Sequence, residues 1–435
     1  MSLQLQLRKQ VSKLPYGVVS VLAGLSAFGA YTSMYAFRKA FTAGTFTGHQ
    51  YLHVDYKAWL VIAQVLGYML SKFYGIRFIA EVKHSNRGKS ILILVGIAWL
   101  ALFAFAFVPA PYNIILLFIN GLPLGMIWGL VFSYLEGRKA TEFMAAVLSI
   151  SLIFASGFVK TTARLLMHNF HISEYLMPFA TGALFAGPLL LFVLILEAVP
   201  PPTEEDKLLR TERTPMTSGE RKAFLTRFLP GIILTVIVYV LLTVIRDVRD
   251  NFEVEIWHGL GITSNSIYTS IDSVISLLVL TGMGLLIIVK KNLKAFAIIH
   301  LFIIGGCLLA GISTLLFNAG VISPIIWMTL AGLGLYAGYV PYNAIFFERM
   351  IASFHYKSNV GFIMYVADAI GYLGSISVLL VKELGNPAIS WSSFFKEALL
   401  VLAVVGSLSG LLSLLYFLRS ARKTNTNKNL NLFTA

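Results

Sequence analysis

Along the chain, long apolar stretches alternate with short polar ones, and the apolar stretches are too long for the helices of a water-soluble core. Runs of about 18 or more such residues mark membrane-crossing helices. Twelve are predicted, near residues 15–37, 58–80, 90–108, 112–135, 143–165, 175–198, 229–249, 264–289, 295–317, 322–347, 359–381 and 395–418. The expected fold class is therefore an all-α membrane protein with twelve transmembrane helices. The first run is longer than the roughly 7–15 residue apolar core of a secretory signal, so it reads as a retained first helix.

The longest polar interval, Pro200 to Arg227, falls near the middle of the chain. Pro200, Pro201 and Pro202 cannot continue the sixth helix. The mixed charges that follow, from Glu204 to Lys222, read as a solvated linker with one or two short surface helices. The expected domains are a first six-helix bundle at 1–199, a cytoplasmic linker at 200–227, a second bundle at 228–420 and a cytoplasmic tail at 421–435.

The halves echo one another. Gly121-Leu122-Pro123-Leu124 through Glu136-Gly137-Arg138 resembles Gly332-Leu333-Gly334-Leu335 through Glu348-Arg349, and the pairs Arg138/Arg349 and Arg38/Arg249 are both 211 positions apart. A parallel repeat of six helices is implied, making the two bundles pseudo-symmetric, with a central site expected between them. Gly121, Gly125 and Gly129 in span four, and Gly334 and Gly338 in span ten, are spaced for close backbone packing. Pro123 and Pro341 are expected to kink those same spans.

The composition, 57% hydrophobic with only 12% charged, fits this picture, and the net charge of +14 adds an orientation. Most of the 34 lysines and arginines lie on one side if both termini are cytoplasmic, as the positive-inside rule requires. The chain is accordingly placed in the plasma membrane, or the inner membrane of a bacterium, as a multi-pass protein. Basic residues beside an anionic leaflet account for the charge, and no aromatic-rich basic module points to nucleic acid.

Other chemistries find little support. The single cysteine, Cys307, excludes intrachain disulfides and a thiolate cluster. His49 and His53 near Asp55, and His168 and His171 near Glu174, read as solvated loop residues without the further ligands of a metal site. No GxxxxGK[ST], HExxH or GxSxG motif is present, which sets aside ATP-driven transport by this chain and an enzymatic role. No cofactor or metal is expected. A monomer is expected, with the lipid bilayer and a small anionic solute as its partners.

Cations stranded in apolar segments carry the functional signal: Arg38, Lys72, Lys160, Arg246 and Arg249. Each costs at least ~2.5–3.5 kcal/mol near the bilayer centre, so such residues usually face a polar interior. Arg38 follows Tyr31 and Tyr35 on one helix face; it either meets a solute inside or snorkels to headgroups. Lys72, in Gly67-Tyr68-Met69-Leu70-Ser71-Lys72-Phe73, is better placed for the interior than Arg77. Lys160 either snorkels, pairs with an acid or meets the solute. Asp247 and Asp250 flank the span-seven arginines and could neutralise them as a structural ion cluster. Asp272 and Asp368, in spans eight and eleven, are candidates for proton coupling or for pairing with a nearby cation.

Tyr35 to Phe41, Ser71-Lys72-Phe73 and Ser85-Asn86-Arg87 resemble the organophosphate:phosphate antiporters of the major facilitator superfamily. In that family an arginine of helix one and an arginine of helix seven, followed by an aspartate, bind phosphate beside a lysine of helix two. The resemblance implies those roles for Arg38 and Lys72. Arg246 matches the family spacing to its aspartate, here Asp250, whereas Arg249 matches Arg38 in the internal repeat. The superfamily's Asp-Arg signature is degraded to Gly75-Ile76-Arg77-Phe78-Ile79-Ala80-Glu81. The function implied is secondary active transport of a small anionic solute, a phosphate-bearing organic anion, by alternating access with exchange or proton symport. The substrate-binding set is Arg38, Lys72, Arg246, Arg249, Tyr35 and Lys160. The alternative is a transporter-like sensor of an organic anion that signals through its cytoplasmic segments.

Overall fold

The computed structural model describes residues 3–81, 86–203, 206, 218–354, 360–385 and 388–433. Most of the expected linker, together with Ser85 and the Arg77 side chain, lies outside the described residues. After a short helix, Leu3–Val11, the long helices follow in order. They are α1 (Tyr16–Lys39, prolonged by a 3-10 turn at Ala40–Ala43), α2 (Tyr56–Glu81), α3 (Arg87–Phe107), α4 (Ile114–Leu124, resuming at Ile127–Phe132), α5 (Thr141–Phe170) and α6 (Met177–Ala198). The second half supplies α7 (Ser218–Gly259), α8 (Ile267–Ile287), α9 (Asn292–Asn318), α10 (Pro324–Pro341), α11 (Val360–Gly385) and α12 (Trp391–Val401). Helix α10 runs on through a π-helical turn, Tyr342–Phe346, into Phe347–Phe354; α12 does the same through Leu402–Gly406 into Ser407–Phe433.

Ten of these helices are long and apolar enough, among the described residues, to cross a membrane. Helices α2 and α11, each 26 residues long, occupy the places expected for spans two and eleven. Large apolar side chains such as Leu100, Leu191 and Leu285 are exposed while Asp272, Arg249 and Lys160 are fully buried, the distribution of a multi-pass membrane protein, whose outer solvent is lipid.

Both prolines act on their helices. Two residues after Pro123 the α-helical pattern breaks, at Gly125 and Met126, and Pro341 opens directly into the π-helical turn. A proline removes one hydrogen bond of the ladder and pushes against the preceding turn, which explains both breaks. Span seven differs more from expectation. Helix α7 does not stop near residue 249 but continues to Gly259, with a kink at Phe252. Hydropathy ends the span where Asp250, Asn251, Glu253 and Glu255 begin, yet the fold provides polar and cationic partners for these residues.

The residues group into two compact units. The first holds Met1–Arg210, Asp247–Leu280 and Tyr372–Phe395; the second holds Thr211–Arg246, Thr281–Gly371 and Lys396–Ala435. This grouping by compactness cuts across the sequence halves, because the later part of α7, the start of α8 and the end of α11 pack within the first unit.

In the first unit α1 packs on α5 and α6, and α2 packs on α4. The α2–α4 approach is backbone to backbone: a Cβ built on Gly121 would stand 3.0 Å from the Tyr68 amide nitrogen, and one on Gly125 only 2.6 Å from the Tyr68 carbonyl oxygen. The spacing of small residues in span four thus serves close helix packing. Between α1 and α2 lies a two-stranded hairpin, β1 (Gln50–Tyr51) and β2 (Val54–Asp55), whose tip residues Leu52 and His53 have φ of 55° and 62°. The Asp55 amide donates to Glu383 at 3.0 Å, fastening the hairpin to the end of α11.

Beyond α6, Asp206 gathers four hydrogen bonds, from the Tyr16 hydroxyl (3.0 Å), the Lys139 amide (2.8 Å) and the Thr203 amide and hydroxyl (3.0 Å each). Burial pushes its carboxyl up, but these donors outweigh burial and hold it below its ordinary value. In the second unit α9 packs on α10 and α12, with Gly306 and Gly334 in backbone contact. Ser323 caps α10 by accepting from the Ile326 amide, and Pro324 takes the first helical position, where a missing N–H costs nothing.

Candidate functional site

Two polar groups of opposite character lie in the first unit. The earlier one follows from helical spacing: Tyr31, Tyr35 and Arg38 share one face of α1, and Gln64, Tyr68 and Lys72 share one face of α2. Arg38 does not snorkel. It is 5% exposed, with its guanidinium carbon 3.7 Å from the centre of the Tyr68 ring and 5.8 Å from that of Tyr35. The Lys72 ammonium stands 5.3 Å from the same Tyr68 ring and 4.9 Å from Tyr372 of α11, which meets Tyr68 edge-on at 5.5 Å. Two cations therefore share one aromatic ring, an arrangement that ring quadrupoles favour. Among the described residues no carboxylate pairs with Arg38, and its Nε has no hydrogen-bond partner.

The backbone under Arg38 is fixed from below. Gln64 donates to the Arg38 carbonyl (2.5 Å) and to the Asn120 side-chain oxygen (2.8 Å), while Asn120 donates to the Phe37 and Ala98 carbonyls at 2.9 Å each. The bonds to Phe37 and Arg38 satisfy carbonyls near the end of α1, where it tightens into its 3-10 turn, and the bond to Ala98 ties the group to α3. They hold the residue that carries the charge.

The second group is an ion network. Lys160 of α5 meets Glu253 at 2.9 Å and Asp250 at 3.3 Å, and it donates to Ser156 at 2.5 Å. Ser156 in turn donates to Asp250. Arg249 meets Asp272 of α8 at 2.7 Å and Glu253 at 3.4 Å. Lys39, the residue after Arg38, donates to Asn251 at 2.5 Å and lies 3.5 Å from Asp250. Gly157 brings α5 against α8 here, since its Cβ would stand 2.9 Å from that of Asp272. Lys39, Lys160 and Arg249 thus face Asp250, Glu253 and Asp272, and the formal charges cancel. Beside them Lys57 pairs with Glu255 at 2.5 Å and donates to the Thr42 carbonyl at 2.8 Å. The Tyr35 hydroxyl joins the two groups by donating to Asp250 at 2.9 Å.

Of the sequence candidates, then, Arg38, Lys72 and Tyr35 come together. Lys160, Arg249 and Asp272 come together elsewhere, in the network. Arg246 and Asp368 belong to the second unit, where Arg246 lies over the Tyr339 ring at 4.2 Å and Asp368 accepts from Tyr239. No group of metal-ligating residues is found among the described residues.

Residues 40–420 match the profile of a family described as a family of unknown function, DUF5690. The chain belongs to the DUF5690 family. No curated protein matches it in sequence. Among solved structures, this DUF5690 chain is similar to a D-xylose–proton symporter, with 16% identity, a TM-score of 0.61 and coverage of 91% of this chain and 96% of the other. It is also similar to a mutant of the nucleoside transporter NupG, at 15% identity and a TM-score of 0.58, covering 92% of this chain and 100% of that one. A peptide transporter POT gives 15% identity, a TM-score of 0.57 and coverage of 97% and 99%. Likeness at these identities shows the fold: an all-α membrane protein of the major facilitator type.

Several members of both groups in the DUF5690 chain escape sequence reasoning. Lys39, Lys57, Glu253 and Glu255 lie at or beyond the span ends expected from hydropathy, where charges are unremarkable. Tyr68, Tyr372, Gln64 and Asn120 are neutral and raise no flag on a hydropathy scale. The signal for half of them was present, since Gln64, Tyr68 and Lys72 recur every four residues on α2.

Proposed function

We propose that this chain is a secondary transporter of a small organic anion, phosphate-bearing, that works by alternating access. The observation that carries this reading is Arg38: a buried guanidinium with no carboxylate partner among the described residues, flanked by Lys72 across one tyrosine ring. A buried cation is costly without a counter-charge, and an anion entering from water supplies one. Guanidinium offers a planar fork to two oxygens of a phosphate or carboxylate, and lysine adds a compact charge beside it. Tyrosine hydroxyls furnish neutral donors around the rim. Solute transport as the class is further supported by the similar folds of a sugar–proton symporter, a nucleoside transporter and a peptide transporter.

The ion network has a different part in this proposal. Its charges cancel internally, so it ties α1, α5, α7 and α8 together rather than attracting solute. Asp272, held by Arg249, and Asp368, held by Tyr239, are the carboxylates through which a proton couples to transport if the cycle is a symport. The distribution of lysine and arginine supports a cytoplasmic position for both termini.

Reconstitution into liposomes tests the reading. Radiolabelled inorganic phosphate and a panel of phosphorylated sugars and glycerol phosphates are offered with and without a counter-anion inside, and with and without a pH gradient. Uptake that saturates, and that disappears in Arg38→Ala and Lys72→Ala proteins, is the expected result. Equal flux in the variants, or uptake of uncharged sugars instead, sinks the anion assignment.

A further inference from the structure

Tyr35 joins the two groups through a cation–ring contact on one side and a hydrogen bond on the other. Its ring faces Arg38 and its hydroxyl donates to Asp250 at 2.9 Å. A phenol has one hydrogen to donate. In this structure that hydrogen is held by Asp250, the carboxylate on which Lys39, Lys160 and Ser156 also converge.

We propose that Tyr35 couples occupancy of the Arg38–Lys72 cluster to the hold of α1 on α7: an anion bound at the cluster draws the Tyr35 hydroxyl away from Asp250, and the network loosens. This rests on the anion reading given above and deepens it. The physical ground is competition for a single donor. An anion gripped by Arg38 lies beside the Tyr35 ring, and it is a stronger acceptor than Asp250, whose charge is already answered by Lys39 and Lys160. A hydrogen bond to an unanswered anion is the stronger bond.

The consequence for α1 is specific. Tyr35 and Lys39 are one turn apart on α1, and both reach the Asp250–Asn251 segment of α7. Lys39 holds Asp250 across 3.5 Å, a longer pair than the 3.3 Å between Lys160 and the same carboxylate. With the hydroxyl withdrawn, α1 keeps the Lys39–Asn251 bond and this longer pair. A ligand moves a conformational equilibrium only through differential affinity for its states. Here the difference is the hydroxyl bond that the anion gains only once Asp250 has lost it.

The test uses the full chain in lipid nanodiscs, spin-labelled at Thr47→Cys and Ser264→Cys with Cys307→Ala, and inorganic phosphate as the probe. Both label sites are exposed, one after α1 and one between α7 and α8. Pulsed electron–electron resonance reads the distance distribution, and radiolabelled phosphate reads binding. In the parent protein, phosphate is expected to shift the distribution toward longer distances. Tyr35→Phe keeps the ring and removes the hydroxyl. It is expected to show the long-distance population without phosphate, to gain nothing further on its addition, and to lose no more than about tenfold in phosphate affinity, because the bond forfeited to phosphate is offset by the Asp250 bond that no longer has to break.

Asp250→Asn, which weakens the acceptor, is expected to resemble Tyr35→Phe in the absence of phosphate. A Tyr35→Phe protein that matches the parent without phosphate, or that still responds to phosphate as the parent does, overturns the proposal. If the parent binds no phosphate while Tyr35→Phe and Asp250→Asn open alike, the anion reading fails and the hold of the hydroxyl on Asp250 stands.

Discussion

Arg38 and Lys39 are consecutive residues of one helix, both buried and both cationic, yet their surroundings share almost nothing. A step of about 100° around the helix turns Arg38 toward tyrosine rings and Lys39 toward Asp250 and Asn251. One cation has carboxylate company within the protein and the other has none among the described residues. The difference teaches that buried charge alone does not identify a binding site. What separates the two is whether the described residues supply a carboxylate: Lys39 has Asp250 at 3.5 Å, whereas Arg38 has tyrosine rings and no carboxylate partner, which is the contrast on which the anion proposal rests.

Breaking the carboxylate side gives the largest effect. Lys160→Met leaves Asp250 and Glu253 short of a cation in a dry interior, and loss of one partner of a buried pair typically costs about 3–5 kcal/mol. A lowered midpoint of thermal unfolding in detergent is expected, and adding Glu253→Gln to Lys160→Met is expected to recover most of it. A double variant no better than the single one contradicts the charge-balanced description. On the Arg38 side the sign reverses. Arg38→Met removes a charge with no carboxylate partner to strand, so the unfolding midpoint is expected to stay level or rise, while phosphate binding falls by about ten- to a hundredfold for loss of a charged donor. If Arg38→Met destabilises as Lys160→Met does, the two groups do not differ in the way described.

The smallest effect lies away from both groups, at Asp206, and shows what ordinary hydrogen bonding contributes. Its carboxyl is held below the usual range, so its bonds to Tyr16, Lys139 and Thr203 add stability above the ordinary carboxylate pKa. That contribution is lost as the pH falls through the lowered value. Comparing unfolding midpoints of the parent and Asp206→Asn across acid pH checks this: the gap between them is expected to be widest near neutrality and to close on acidification. A gap that widens in acid reverses the sign.

Much of the fold is legible in the sequence because lipid imposes a simple rule on it. Each apolar run became a helix near its expected place, and the prolines of spans four and ten interrupt theirs. Legibility failed at the end of α7. A hydropathy scale treats Asp250, Glu253 and Glu255 as solvent-seeking, but Lys39, Lys57 and Lys160 answer them from helices roughly 90–210 residues away in the chain. Pairing at that separation leaves no local trace. For the same reason the sequence leaves Lys160 and Arg249 open between solute binding and ion pairing; in the structure Lys160 contacts Asp250 and Glu253, and Arg249 contacts Glu253 and Asp272, two acids that the sequence did not assign to it. Arg38 and Lys72 stood out early because nothing near them in sequence accounted for their charge.

The close approach of α2 to α4 has one further consequence. Where two helices touch through Gly121 and Gly125, the ring of Tyr68 is located by main chain, which cannot repack, instead of by side chains, which can. The glycines work as a spacer of fixed thickness. A single methyl group at Gly125, with no charge, no hydrogen bond and no contact with any solute, must displace the Tyr68 carbonyl and with it the platform beneath both cations. The tolerances of this site are therefore set by residues that have no side chain at all.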